Sequence, residues 1–253
     1  MAKLPPILSD KMLGASSVFA PENLLREARR QKRLEPAPMP EICVLDPDGD
    51  IVRRLKRDGR VRPAPGWACY HTDLYEFTAE GERFGIIGCA VGAPFAVLVA
   101  EELFCCGCRL LVSMTSAGQI GDGLDPPCFV LIDRALRDEG TSYHYLPPAD
   151  FVAAEERLAG AAMREMAGLA EPVLRGASWT TDAPFRETSA AIEACRARGI
   201  LAVEMEAAGL YAFARSRGRA VLCFAHVTNR MAVAEGDFEK GEADGSSAAL
   251  AVI

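Results

Sequence analysis

Two carboxylates stand one residue apart in the stretch VEMEAAGLYAFA, Val203 to Ala214, where Glu204 and Glu206 flank Met205 at the start of an apolar helical run. The helical period places Ala207, Leu210, Tyr211 and Ala214 on one apolar stripe. At a helix start the macrodipole favours negative charge by about 0.3–1 kcal/mol, so capping alone accounts for both acids. A glutamate in apolar surroundings is nevertheless costly to bury unless something donates to it. The vicinal hydroxyls of a ribose supply two charge-assisted hydrogen bonds of that kind. The residue types leave both readings open, a helix cap and an acceptor for a sugar diol.

Three further loops carry chemistry-bearing residues. In DPDGDIVRR, Gly49 lets the backbone approach an anion, the following helix start offers free amides, and Arg53 lies one turn in. Phosphate fits such a loop, and so does an ordinary Asp/Gly turn with a solvent-facing arginine. In AVGAPFA, Gly92 and Pro94 shape a tight entry to a helix. In SMTSAGQIGDG, Thr115, Ser116 and Gly118 follow a buried strand with hydroxyls and amides suited to an oxyanion or a sugar, or to a plain polar loop. The CCGC cluster, Cys105, Cys106 and Cys108, has thiols that can ligate zinc, but no second C-x-x-C follows it and the chain has only three histidines, His71, His144 and His226. Buried structural thiols are the better account. No G-x-G-x-x-G follows the first strand, so neither a dinucleotide nor a metal is expected.

Taken in chain order, these segments resemble the nucleoside phosphorylase superfamily, the purine nucleoside and uridine phosphorylases and related nucleosidases. GILAVEMEAAGLYAFA is similar to the family's hallmark, GDIVR to its phosphate loop Gly-Asp-Pro-x-Arg, AVGAPFAVLVAEEL to its Gly-x-Gly-x-Pro-Ser turn, TSAGQI to a strand exit, and WTTDAPF to the segment along the base. The resemblance implies a ribose held by Met205, Glu206 and Glu204, and a phosphate held by Gly49, Arg53 and Ser116. It implies base contacts from Thr181, Asp182, Phe185, Arg186, Asn229 and Arg230, with Asn229 and Arg53 acting in catalysis. The implied activity is cleavage of the N-glycosidic bond of a ribonucleoside with phosphate as co-substrate and no other cofactor. The implied fold is an α/β three-layer sandwich around a mixed, partly barrel-like sheet, assembled as a dimer or hexamer.

Departures from the family pattern raise alternatives. Ser113 stands where phosphorolytic members commonly carry a second arginine, and HVTNRM carries Asn229 where an aspartate protonates purines in some members. An amide cannot act as an acid, although it can donate a hydrogen bond to a leaving base. The uridine-type Gly-Gln-x-Arg insert is absent after WTTDAPF, and His71 is the candidate for the arginine a neighbouring subunit lends. Hydrolysis by water, or a nucleoside-binding protein that has lost the chemistry, are the alternatives.

The elements that must position these loops read as an N-terminal helix and linker over 1–40 and one domain over 41–253. Strands are expected at Ile42–Leu45, Tyr70–Phe77, Arg83–Cys89, 108–114, Phe129–Ile132, 172–180, 200–203 and 219–228. Helices are expected from about Ile51, within AVGAPFAVLVAEELFCCG (90–107) after its Gly/Pro loop, over 150–168, 189–199 and 204–218, and a last one begins in DGSSAALAVI. This alternation predicts a largely parallel sheet covered on both faces, with ligands beyond the strand ends. Across 253 residues with 50% apolar composition, one large α/β core is expected. The net charge of −7 excludes a basic nucleic-acid or membrane surface and leaves a small-molecule substrate. Nine cysteines without a charged-then-apolar leader point to reduced thiols and a cytoplasmic protein.

Overall fold

The N-terminal PENLLREARRQK forms α1 (Pro21–Lys32), with proline at its start and Arg33 in the left-handed conformation closing its end. Its Leu25 and Ala28 are buried against Ala68. The computed structural model describes residues 4–9, 11–231, 240 and 242–253. After the linker come β1 (Ile42–Asp46), α2 (Asp50–Arg57), the two-residue β2 (Arg62–Pro63), and the hairpin β3 (Tyr75–Ala79) and β4 (Glu82–Gly88). Then follow α3 (Ala93–Cys105), β5 (Leu110–Gln119), β6 (Cys128–Asp138), β7 (Phe151–Ala153) and α4 (Glu156–Met166). The chain continues through β8 (Val173–Thr181), α5 (Ser189–Ala197), β9 (Ile200–Glu204), α6 (Ala207–Arg217), β10 (Ala220–Asn229) and α7 (Ser246–Val252).

The sheet is mixed rather than largely parallel. β5 pairs in parallel with β10 and antiparallel with β9, β9 and β6 both run parallel to β8, and β10 returns antiparallel to β6, which closes β5, β10, β6, β8 and β9 into a five-stranded barrel. From β5 an open arm extends through β1, β4, β3 and β2. Alternation along β1 assigns the two sides: Cys43 and Leu45 face the core shared with α3 and α6, and Val44 faces the one shared with α2 and α7. The architecture is thus α/β/α, with one edge of its middle layer rolled into a barrel.

Several boundaries differ from those the periodicity predicts. Tyr70–Leu74 is not strand. The helix expected over 150–168 opens as β7, which pairs with β6, and α4 starts only at Glu156, where Glu155 accepts from the amides of Arg157 and Leu158. β5 and β6 run well past their apolar cores because barrel closure keeps their polar halves paired. α6 has no single apolar stripe: Ala207 through Ala214 are all buried, since the helix is wedged between α3 and the barrel. Gly209 allows that approach, because a Cβ there would lie 2.7 Å from the Cβ of Ala93. Fully burying a Leu or Phe contributes about 1.5–3 kcal/mol, and Leu210 and Phe213 both reach 0% exposure on this helix. Among the described residues no helix is long and apolar enough to cross a membrane.

Candidate functional site

The two glutamates of the EME turn have opposite fates. Glu204 is the last residue of β9, not part of the helix, and every donor around it is protein. One carboxylate oxygen accepts from Ser178 Oγ at 3.0 Å and Thr180 Oγ1 at 2.5 Å, and the other from the amides of Glu206 and Ala207, both at 2.7 Å. Thr180 Oγ1 in turn accepts from the amide of Ala208. Burial pushes the Glu204 carboxyl above its ordinary range, opposed by these donors. Its oxygens are saturated, so the expectation that Glu204 binds ribose is corrected: it ties the β8 and β9 ends to the start of α6.

Glu206 occupies the N-cap position of α6 without capping it by its side chain. The carboxylate reaches to the start of α3, where Oε1 accepts the Gly92 amide at 2.7 Å, while Oε2 is buried with no partner among the described residues. Gly92 sits at φ +86°, a conformation that favours glycine and that aims its N–H away from its own helix. The carboxylate therefore lies at the N-termini of both α3 and α6, where the dipoles stabilise charge. Burial nonetheless raises its pKa to about 8, assisted by the charge of Glu204 and, more weakly, of Asp48, and opposed by the Gly92 amide and the nearby Thr115 hydroxyl. A residue that is 1% exposed with one carboxylate oxygen unused has room for a donor from outside the protein.

The influence of Asp48 links this acid to the second loop. There, two of the amides at the start of α2 are already taken. Asp46 accepts the amides of Gly49 at 3.1 Å and Val52 at 2.9 Å, and burial raises its own pKa to about 7 despite those bonds. The Gly49 amide is thereby withdrawn from any anion. The glycine is required instead by φ +78° and by space, since a Cβ there would lie 2.7 Å from Cys89 Sγ. Arg53, more than half exposed, is bound to Asp50 and to the carbonyl of Asp48. Ser116 donates its amide to Asp48 Oδ2 at 3.0 Å. The Lys240 ammonium lies 3.5 Å from that same oxygen and 2.7 Å from Asp50 Oδ2. Although burial pushes the Asp50 carboxyl up, Lys240 and Arg53 hold it below its usual range. Asp48, Asp50, Ser116, Lys240 and His226 line a cavity of about 20 Å³.

Strand pairing brings Asn229 beside Gly118 and Gly118 beside Val203, so the end of β10 meets the EME turn. Met205 is half-buried in that turn. Asn229 is buried, its carbonyl oxygen accepts the Met231 amide at 2.9 Å, and its Nδ2 makes long contacts with Thr228 Oγ1 at 3.3 Å and the Ala117 carbonyl at 3.5 Å. Arg230 follows it on the surface. The other base-contacting candidates are less gathered. Thr181 is buried at the end of β8, its hydroxyl accepting from Ala183, and Asp182 accepts the Gly140 amide at 2.8 Å. Phe185 is 99% exposed and Arg186 is exposed beside it, so neither forms a wall of the site in the single protomer.

His71 is exposed against Tyr70 and Phe95, His144 contacts Lys11, and His226 stacks on Phe129 at 4.2 Å with burial lowering its pKa to about 4. Ser113 is buried with an unpartnered hydroxyl. The Cys106 thiol accepts from Arg29, and that of Cys108 donates to the Leu110 carbonyl. Two larger concavities, about 510 and 530 Å³, are lined by other residues, at the far end of α6 and beneath the N-terminal segment. Sequence reasoning missed Asp48 and Lys240. Asp48 carries one signal, an acid directly before the loop glycine; Lys240 carries none, because only the fold brings it back.

Comparisons with known proteins bear on the family and the fold. Residues 41–252 match the family model described as the phosphorylase superfamily. The DeoD-type purine nucleoside phosphorylase of Colwellia psychrerythraea is 28% identical over 163 residues, 64% of this chain and 70% of that protein. The Myxococcus xanthus protein of the same description is 30% identical over 161 residues, 62% of this chain and 67% of its own. In fold, the crystal structure of uridine phosphorylase from Vibrio fischeri superposes with a TM-score of 0.71 at 20% identity, covering 88% of this chain and 90% of the other.

Proposed function

The chain belongs to the phosphorylase superfamily, and from that premise we propose that it cleaves the N-glycosidic bond of a ribonucleoside or close analogue with phosphate as nucleophile. The observation that carries the reading is the buried Glu206, with one oxygen fixed by Gly92, the other without a partner among the described residues, and the hydroxyl of Thr115, the chain neighbour of Ser116, close by. In this reading the 2′ and 3′ hydroxyls of ribose donate to Glu206, and Met205 packs on the sugar face. Ser116 and Arg53 hold the phosphate below C1′. A phosphate oxygen bonds to C1′ as the C1′–N bond breaks, and the bonding pair departs on the base, which takes a hydrogen bond from Asn229. The transition state carries positive charge on the sugar, so a carboxylate at the hydroxyls and an anion beneath the ring both stabilise it. Phosphate is the co-substrate and no other cofactor takes part.

We further infer a cytoplasmic homo-oligomer in which the exposed Phe185 and Arg186 are covered by a neighbouring copy. Incubation with a panel of purine and pyrimidine nucleosides, with and without phosphate, tests the central claim. Free base and ribose 1-phosphate are expected in equal amounts, and only when phosphate is present. Hydrolysis is the second reading, favoured by Ser113, which leaves the site without a second arginine. Base release that ignores phosphate would replace the first reading by the second.

A further inference from the structure

The anion position beside Glu206 is already filled by the protein's own carboxylate. Ser116 and Lys240, which lie on different elements, converge on a single atom, Asp48 Oδ2, at 3.0 and 3.5 Å. An amide and an ammonium meeting at one oxygen form the donor pair that a phosphate oxygen uses. The surrounding cavity of about 20 Å³ has room for one water and none for a tetrahedral oxyanion. Asp46 and Asp50 add negative charge to the same wall, while the cations there, Arg53 and Lys240, are both bonded to Asp50. A dianion cannot simply add to this arrangement.

We propose that Asp48 is a built-in competitor for the nucleophile: phosphate enters by displacing its carboxylate from Ser116 and inherits Lys240 as the second cation that Ser113 does not supply. The proposal rests on the phosphorolytic reading for its ligand, and it makes Asp48 a residue that sets the choice and affinity of the nucleophile. Asp48 is half-buried in a surface loop, so its side chain can swing outward without unpacking the core. Lys240 also holds Asp50, so it stays in place when Asp48 leaves.

Inorganic phosphate binding, followed by calorimetry on the full chain, tests this without turnover. Asp48→Ala is expected to bind phosphate at least tenfold more tightly than the wild type, and Lys240→Met at least tenfold more weakly. Asp50→Asn is the control for the Ser116 amide, because it removes an acid at the start of α2 and releases Arg53 and Lys240 without freeing that amide; its gain should be less than a third of that of Asp48→Ala. Asp48→Asn serves where the alanine variant does not fold, with a gain of at least threefold. Equal gains for the Asp48 and Asp50 variants, no gain on removing Asp48, or unchanged affinity in Lys240→Met each overturn the proposal. Product analysis separates it from the reading beneath it. Tighter phosphate binding by Asp48→Ala with no ribose 1-phosphate from any variant sinks phosphorolysis and leaves displacement standing. Ribose 1-phosphate formed with unaltered phosphate affinity sinks displacement alone.

Discussion

The amide of Gly92 donates to one oxygen of Glu206 across 2.7 Å, joining the start of α3 to the start of α6 and leaving the second oxygen buried without a partner among the described residues. Buried acceptors are normally satisfied, and leaving one unmet costs about 1–3 kcal/mol. In the proposed function, the hydroxyls of a substrate diol meet that cost.

Replacing Glu206 by Ala should therefore separate binding from folding. Hydrogen bonds to a charged group contribute about 1.5–3 kcal/mol each, so the loss of two weakens nucleoside affinity by about 100-fold or more. The melting temperature should be unchanged or slightly higher. Calorimetric titration with a nucleoside checks the first expectation and a thermal melt the second. Unaltered affinity would return Glu206 to the role of a helix cap.

Glu204→Ala should behave in the opposite way. Its removal strands the hydroxyls of Ser178 and Thr180 and the amides of Glu206 and Ala207 in a dry interior. A loss of about 3–5 kcal/mol is expected, as when one side of a buried charged network is deleted. Urea unfolding measures it, and a loss smaller than that of Glu206→Ala contradicts the division of labour between the two acids.

That division was only half legible in the sequence. Two acids around a methionine at the head of an apolar helix are chemically conspicuous, but which of them faces protein donors depends on Ser178 and Thr180 lying on β8, the strand that β9 joins. The alternation of strands and helices was readable from periodicity. Closure of the barrel was not: β5 meets β9 through the polar strand end TSAGQ, which looks like a loop, and the antiparallel return of β10 to β6 joins two apolar strands whose periodicity does not say which neighbour each takes. Asp48 looked like an ordinary turn residue for the same reason: its meaning comes from the Ser116 amide and Lys240, and neither is near it in the chain.

The raised pKa of Glu206, about 8, has a stability consequence with a definite sign. The native carboxyl keeps its proton to higher pH than the unfolded one, so the folded state binds more protons between the ordinary carboxylate range and about pH 8. Stability from this group is complete below that window and is lost as pH rises through it. Asp46, raised to about 7, acts in the same direction. The difference between wild type and Glu206→Gln isolates the Glu206 contribution. Melting temperatures followed from about pH 5 to about pH 9 should fall more steeply for the wild type than for the glutamine variant. Parallel curves would mean that Glu206 titrates normally.

Gly49→Ala probes the loop beneath the anion position. An L-residue held at φ +78° costs about 1–2 kcal/mol, and its Cβ would stand 2.7 Å from Cys89 Sγ and 2.9 Å from Arg53 Nη1. The guanidinium can move aside along its whole length, whereas the sulfur can leave only by turning about its Cα–Cβ bond, because the Cys89 amide is held by the Asp46 carbonyl. Stability should fall by more than about 1 kcal/mol, and the KM for phosphate should rise while that for nucleoside stays level, since Arg53 is the group displaced. Adding Cys89→Ala relieves the sulfur contact but not the backbone strain. The double variant should then recover part of the stability and none of the phosphate affinity. If the second substitution restores nothing, the cost lies wholly in φ and the contact with Cys89 is unimportant.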